Sequence, residues 1–95
     1  MRIIAKSRLL RLAKGHGDCV GQVNDWYSIA SKAEWRSLVD IRESFPHADS
    51  VDGKTVFNIK GNDYRLVVTI LYDKGIIYIK DLLTHSTYDR NKWRK

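Results

Sequence analysis

The chain has a single cysteine, Cys19, so no internal disulfide can brace it, and a reducing compartment is its natural setting. It has no apolar run near the roughly 20 residues that a membrane span requires. Its three histidines, His16, His47 and His85, are scattered and show no zinc-type spacing with Cys19. Gly61 and Gly75 read as hairpin glycines rather than as parts of a phosphate loop, and no glycine-flanked serine offers a nucleophile. Acids are missing from residues 1–17, which carry Arg2, Lys6, Arg8, Arg11 and Lys14, a charge pattern shared with targeting peptides. Removing that segment would strip Leu9, Leu10 and Leu12 from a small core, so it is read as part of the fold and the chain as cytoplasmic. Zinc enzymes, nucleotide-loop enzymes, serine hydrolases and membrane-spanning proteins are thereby set aside.

What is present is a folding composition with a basic excess. At 43% hydrophobic and 29% charged, the 95 residues suit one domain (1–95) with a modest core rather than a disordered tail. There are no internal repeats, no low-complexity tract and no linker long enough to divide it. The net charge of +6 favours a polyanionic partner, whether RNA, DNA, an acidic protein or an anionic membrane surface.

Residues 55–60 alternate, with Thr55, Phe57 and Ile59 on one side and Val56, Asn58 and Lys60 on the other, as a half-buried strand requires. Gly61-Asn62 suits a two-residue hairpin turn. Residues 63–72 then place Tyr64, Leu66, Val68, Ile70 and Tyr72 on one face and Arg65, Val67, Thr69 and Leu71 on the other. This register pairs Ile59 with Tyr64, Asn58 with Arg65 and Phe57 with Leu66, apolar against apolar and polar against polar. A second turn at Lys74-Gly75 would pair Tyr72 with Ile77, Ile70 with Ile79 and Thr69 with Lys80, and would bring Thr84 and His85 beside Arg65. One face of the sheet is then apolar. The other displays Asn58, Lys60, Arg65 and Lys80, with His85 at its margin.

Upstream, residues 2–5 form an apolar run suited to an edge strand. Ser7 can cap a helix carrying Leu9, Leu10, Leu12 and Ala13 that ends near Gly15, and Asp18 can cap the next. Val20, Val23, Tyr27 and Ala30 fall at helical spacing, and Trp35, Leu38, Val39 and Arg42 continue it until Phe45-Pro46 stops the helix. Residues 47–54 read as a loop. Arg90, Lys92, Arg94 and Lys95 form a basic end broken by Trp93. The fold class expected is α+β, with N-terminal helices packed on one face of an antiparallel β-sheet and the polar face left for ligand.

The polar face suits RNA chemistry. Lysines and arginines attract phosphates, and tyrosine or tryptophan rings stack on unpaired bases. Internal RNA cleavage needs a proton taken from a 2′-hydroxyl, charge stabilised at phosphorus and a proton given to the leaving oxygen. His85 has the chemistry for either proton transfer, Tyr88 can orient the nucleophile or stack on a base, and Arg65 with the lysines can stabilise phosphate charge. The same residues also have a purely structural reading. Lys60 and Lys80 can be solvated strand residues, His85 a cap on the last strand, Tyr88 packing beneath it and Asp89 a partner for a nearby base.

The series Phe45-Pro46-x-Ala48-Asp49, Val56-Phe57-Asn58-Ile59-x-Gly61-Asn62-x-Tyr64-Arg65-Leu66, Tyr78-Ile79-Lys80 and Thr84-His85-x-x-Tyr88-Asp89 resembles the HigB toxin family of type II toxin–antitoxin systems. Trp26-Tyr27 and Trp35 resemble its helical half, so the likeness covers nearly the whole chain. The resemblance implies a RelE-like fold and a metal-independent endoribonuclease, an mRNA interferase that cleaves translated messenger RNA on the ribosome and arrests growth. It implies a HigA-like helix-turn-helix antitoxin that neutralises the toxin and represses their operon, so operator DNA is met only through that complex. It implies no cofactor, metal or membrane partner. Carried onto this chain, the catalytic candidates are Asn58, Arg65, Lys80, His85 and Tyr88, with Lys60 and Asn62 as RNA-binding contacts. Two positions depart from the family's habit: Lys60 stands where glycine is frequent and Lys80 where arginine is frequent. The second keeps the charge but loses the bidentate fork. A reading from another class, a non-catalytic RelE-like module that binds RNA or protein, would not require His85, Arg65 and Tyr88 together.

Overall fold

The computed structural model describes residues 1–89. The expected basic end, Arg90, Lys92, Trp93, Arg94 and Lys95, lies outside the described residues. Strand β1 (Arg2–Ile4) leads into helix α1 (Lys6–Lys14), a 3₁₀ turn (Gly17–Cys19), helix α2 (Val20–Lys32) and helix α3 (Leu38–Ser44). Strands β2 (Asp49–Val51), β3 (Lys54–Ile59), β4 (Tyr64–Leu71) and β5 (Ile76–Thr84) follow, and a short helix α4 (His85–Asp89) continues directly from β5. The five strands form one sheet in the order β1-β5-β4-β3-β2. The α+β class therefore stands, but the sheet is mixed rather than antiparallel: β1 lies parallel to β5, with Ile3 opposite Ile77.

The segment expected as a loop before the sheet contains β2. It pairs antiparallel with β3 through a tight Asp52-Gly53 turn in which both residues have positive φ, 51° and 78°. Asp-Gly is the pair that such a turn favours, because its twist matches the flanking strands. Three cross-strand pairs form beyond it, too few for alternation to have announced a strand.

Between β3 and β4 the register is the expected one, with Phe57 opposite Leu66, Asn58 opposite Arg65 and Ile59 opposite Tyr64. Asp63 N–H donates to the Lys60 carbonyl at 3.2 Å, the bond that closes a turn over Gly61-Asn62, and Lys60 itself takes a left-handed conformation with φ 53°. Between β4 and β5 the register differs. Ile70 faces Ile77 and Thr69 faces Tyr78, because the turn runs over residues 72–75, with Gly75 N–H bonded to the Tyr72 carbonyl. A shift of two leaves the side chains of residues 76–79 on their intended faces. Farther along, Val68 pairs with Ile79 but Val67 with Asp81, so Lys80 is the extra residue of a β-bulge. Beyond it Arg65 faces Leu83 and Tyr64 faces Thr84, so Thr84 is not opposite Arg65.

The core lies between the helices and one face of the sheet. Leu9 and Ala13 of α1 and Val23, Trp26 and Ala30 of α2 are buried at helical spacing against Phe57, Leu66, Val68, Ile77, Ile79 and Leu82. Phe57 is fully buried and sits among Phe45, Trp26 and Trp35, with ring centroids 5.2, 5.4 and 6.0 Å away. Trp35 belongs to the connection before α3 rather than to the helix. Helix α3 ends where Phe45 N–H bonds the Ile41 carbonyl, since Pro46 has no N–H to continue the series. The expected caps are absent: α1 starts from Ala5 in a left-handed conformation, and Asp18 lies within the 3₁₀ turn with its carboxylate turned to the sheet.

Candidate functional site

Arg65 stands on the sheet face away from the core, and the β3–β4 turn fixes its fork. Its Nη2 donates to Asn62 Oδ1 at 2.6 Å, and its Nη1 to the Asn62 and Tyr64 carbonyls at 3.1 and 3.2 Å. Asn62 thus holds the guanidinium instead of presenting its oxygen to a ligand. The guanidinium carbon lies 5.6 Å from the centroid of the Tyr88 ring, within cation–π reach.

Tyr88 is carried there by α4, which Thr84 caps by accepting the Thr87 N–H at 3.2 Å. His85 opens the helix, and its backbone N–H donates to the Asp63 carbonyl at 2.9 Å, tying α4 to the same turn that holds Arg65. Asp89 Oδ2 lies 3.3 Å from His85 Nδ1, one helical turn on. That contact orients the ring and leaves Nε2 as the nitrogen open to a substrate. His85 and Asp89 are each about half exposed, at 45% and 57%.

The structure therefore gathers Asn62, Arg65, His85 and Tyr88 at one rim, with Asn58 directly across the ladder from Arg65. The Asn58 amide is half-buried and has no hydrogen-bond partner among the described residues. Two expected members are placed otherwise. Lys80 is exposed at the bulge, three residues before the partner of Arg65, roughly 10 Å along the strand. Its carbonyl accepts Arg8 Nη2 at 2.9 Å. Lys60 does not display its charge beside Arg65, because its ammonium is bonded to Asp18 Oδ2 at 2.8 Å.

Asp18 is the residue that sequence reasoning assigned to the wrong task. It accepts Lys60 on one oxygen and the Tyr64 hydroxyl on the other, at 2.6 Å, joining the 3₁₀ turn to both ends of the β3–β4 turn. The Lys60 bond, then the Tyr64 bond, hold its carboxyl below the usual 3.8. The bond to Asp18, with partial loss of water, pushes the Tyr64 hydroxyl from 10 up to about 12. The Asp18 contribution to stability is thus complete above 3.8 and is lost as pH falls through its lowered value. That of Tyr64 is complete below 10 and is lost as pH rises through about 12. In an absorbance titration, one tyrosine should ionise near pH 12 and should return toward 10 in Asp18→Ala. Identical titration curves for the two proteins would show that the latch does not hold in solution.

Chemically, the rim offers a clamped cation for an anionic group, an imidazole for proton transfer and a phenol beneath the cation. Among the described residues no three His, Cys, Asp or Glu side chains gather around a common point, and no helix is long and apolar enough to cross a membrane.

Three comparisons fit this arrangement. The family model HigB_toxin, a RelE-like toxic component of a toxin–antitoxin system, matches residues 19–91. The chain is 29% identical over 62 residues to the mRNA interferase toxin HigB of Escherichia coli, covering 62% of this chain and 60% of that protein. It matches the mRNA interferase HigB of Shigella flexneri to the same extent. The chain thus spans about 60% of the length of the curated relatives it matches. The match to the family model takes in α2, the sheet from β2 to β5, and the rim formed by Asn62, Arg65, His85 and Tyr88, and by it the chain belongs to the HigB_toxin family.

Proposed function

We propose that this chain is the toxin of a toxin–antitoxin pair and acts as an endoribonuclease on messenger RNA during translation. The observation that carries this reading is the meeting of Arg65, Tyr88 and His85 at one exposed rim, two of them delivered by α4 and one by β4. The relatives are mRNA interferases, which supports messenger RNA as the substrate, and the charge of +6 suits it.

In this reading Arg65, clamped by Asn62, takes the non-bridging oxygens of the scissile phosphate as charge develops there. His85, oriented by Asp89, moves a proton between its Nε2 and either the 2′-hydroxyl or the leaving oxygen. Tyr88 orients the 2′-hydroxyl or stacks on a base. Lys80 attracts the RNA backbone farther along β5, and Asn58 contacts the nucleotide beside the cut. Each role falls to a side chain, and no metal or organic cofactor takes part. With so few acid–base groups, the ribosome supplies part of the alignment. The physiological partner is a HigA-like helix-turn-helix antitoxin that covers the toxin and carries it to operator DNA, in the cytoplasm and without a membrane.

The test is to map messenger RNA 5′ ends after brief induced expression, comparing the wild-type protein with His85→Ala. New in-frame ends inside translated regions, lost in the variant, are expected. Growth arrest without new ends would move the activity to another target, and neither arrest nor ends would favour a binding module.

A further inference from the structure

Beside the rim, where β3 outlasts β2, lies a cleft of about 200 Å³ lined by Ser44, the turn over residues 45–48, Asn58 and Gly61. It is smaller than the roughly 300–1,000 Å³ that drug-sized ligands occupy, and it suits a single flat ring system. Its lining includes no acid to repel a polyanion and no lysine or arginine to hold a phosphate. The walls are Phe45, Pro46, His47 and Ala48, and the side-chain amide among them is Asn58, half-buried and without a hydrogen-bond partner among the described residues.

The wall is ordered before any ligand arrives. Ala48 N–H closes the turn onto the Phe45 carbonyl at 3.0 Å, and Arg42 Nε holds the Ala48 carbonyl at 2.9 Å. Arg42 Nη2 also lies 3.5 Å from Asp49 Oδ1, and the Phe45 ring is fixed edge-on to Phe57. Such preorganisation lowers the entropic cost of binding. Asn58 is also the cross-strand partner of Arg65, which places their Cβ atoms about 4.5–5.5 Å apart. A group seated in the cleft is therefore the immediate neighbour of whatever Arg65 holds.

We infer that this cleft is a nucleobase subsite, in which one unpaired base packs against the 45–48 turn while the Asn58 amide reads its hydrogen-bonding edge. Splayed bases in single-stranded RNA are recognised by this combination of an apolar face and an edge contact. An amide donates and accepts at once, so it distinguishes bases whose edges present different patterns. The subsite makes Asn58 a specificity residue rather than a participant in the proton transfers. The inference rests on the RNA reading of the rim, and its test separates the two.

The test uses the full chain and a tetraribonucleotide with 2′-O-methyl groups, which has no hydroxyl nucleophile, together with four versions each lacking one base. Removing one particular base should weaken binding about tenfold or more, as the loss of a base stacking contact does, while removal of the others has smaller effects. The amide resonances of residues 45–48 and the Asn58 side chain should shift on binding. Asn58→Leu, which keeps the bulk but not the hydrogen bonds, and Ser44→Phe, which fills the cleft mouth, should both remove the single-base preference. Equal effects of all four abasic positions would overturn the subsite, and so would shifts at 45–48 that appear with the antitoxin but not with the oligonucleotide. A protein that cuts RNA but gives either of those results keeps the ribonuclease reading and loses the subsite. A protein that cuts no RNA yet shows the single-base effect keeps the subsite and loses the ribonuclease.

Discussion

Arg65→Ala should lower cleavage of ribosome-bound message by about 10²–10³-fold, the usual loss when one donor to a developing anion is removed. The guanidinium is held at both ends: Asn62 takes three bonds with Tyr64 on one side, and the Tyr88 ring lies on the other. Such a clamp presents a fixed fork, and a fork matches the geometry of phosphate oxygens. Arg65→Lys should recover only part of the loss, because an ammonium keeps the charge without the planar pair of donors. The measurement is single-turnover cleavage with purified protein, with a thermal melt beside it to show that the variant remains folded. Cleavage by Arg65→Ala at the wild-type rate would remove Arg65 from the site.

Phe57→Ala should be the most damaging change in the core, costing about 3–5 kcal/mol by lost burial and the cavity left behind. Domains of this kind are stable by only about 5–15 kcal/mol, so the variant should be largely unfolded or close to it. The reason is position. Phe57 is fully buried, and three aromatic rings from α2, from the connection before α3 and from the end of α3 converge on it. Removing it takes away the contact that Trp26, Trp35 and Phe45 share with the sheet. By contrast Val39, 71% exposed on α3, should tolerate alanine within about 0.5 kcal/mol. Urea denaturation of the two variants checks the contrast, and a cost below 1 kcal/mol at Phe57 would mean that the aromatic cluster does not join the layers.

Much of the sheet was legible because its signals are local. Phe57, Ile59, Tyr64 and Leu66 alternate on either side of Gly61, and that pattern alone sets the β3–β4 register. The β4–β5 register was not, for two physical reasons. The glycine at Gly75 ends a four-residue turn rather than forming the second half of a two-residue one. The bulge leaves only a faint trace, the adjacent polar pair Lys80-Asp81 between the core residues Ile79 and Leu82. At the rim, Arg65, His85 and Tyr88 were singled out by side-chain chemistry and by the resemblance to the HigB family, not by periodicity. Asp18 was not, because its partner Lys60 is 42 residues away and no periodicity links a 3₁₀ turn to a distant hairpin. The Lys60 charge looked free for the same reason.

The bulge at Lys80 also determines how this chain can change length. Ile77 and Ile79 face the core before it and Leu82 after it, so the alternation resumes in phase once the extra residue has been passed. A variant lacking residue 80 can keep Asp81 opposite Val67, Leu83 opposite Arg65 and α4 in place, with the loss read by the ladder as a straightened strand. Asp81, which shares the bulge with Lys80, can be lost in the same way, whereas deleting a residue farther along the paired stretch inverts the side chains on one side of the gap, unless the bulge migrates to absorb it. In a chain whose rim hangs from the last strand, the bulge is the joint along β5 at which a codon can be dropped without turning His85 and Tyr88 to the wrong face.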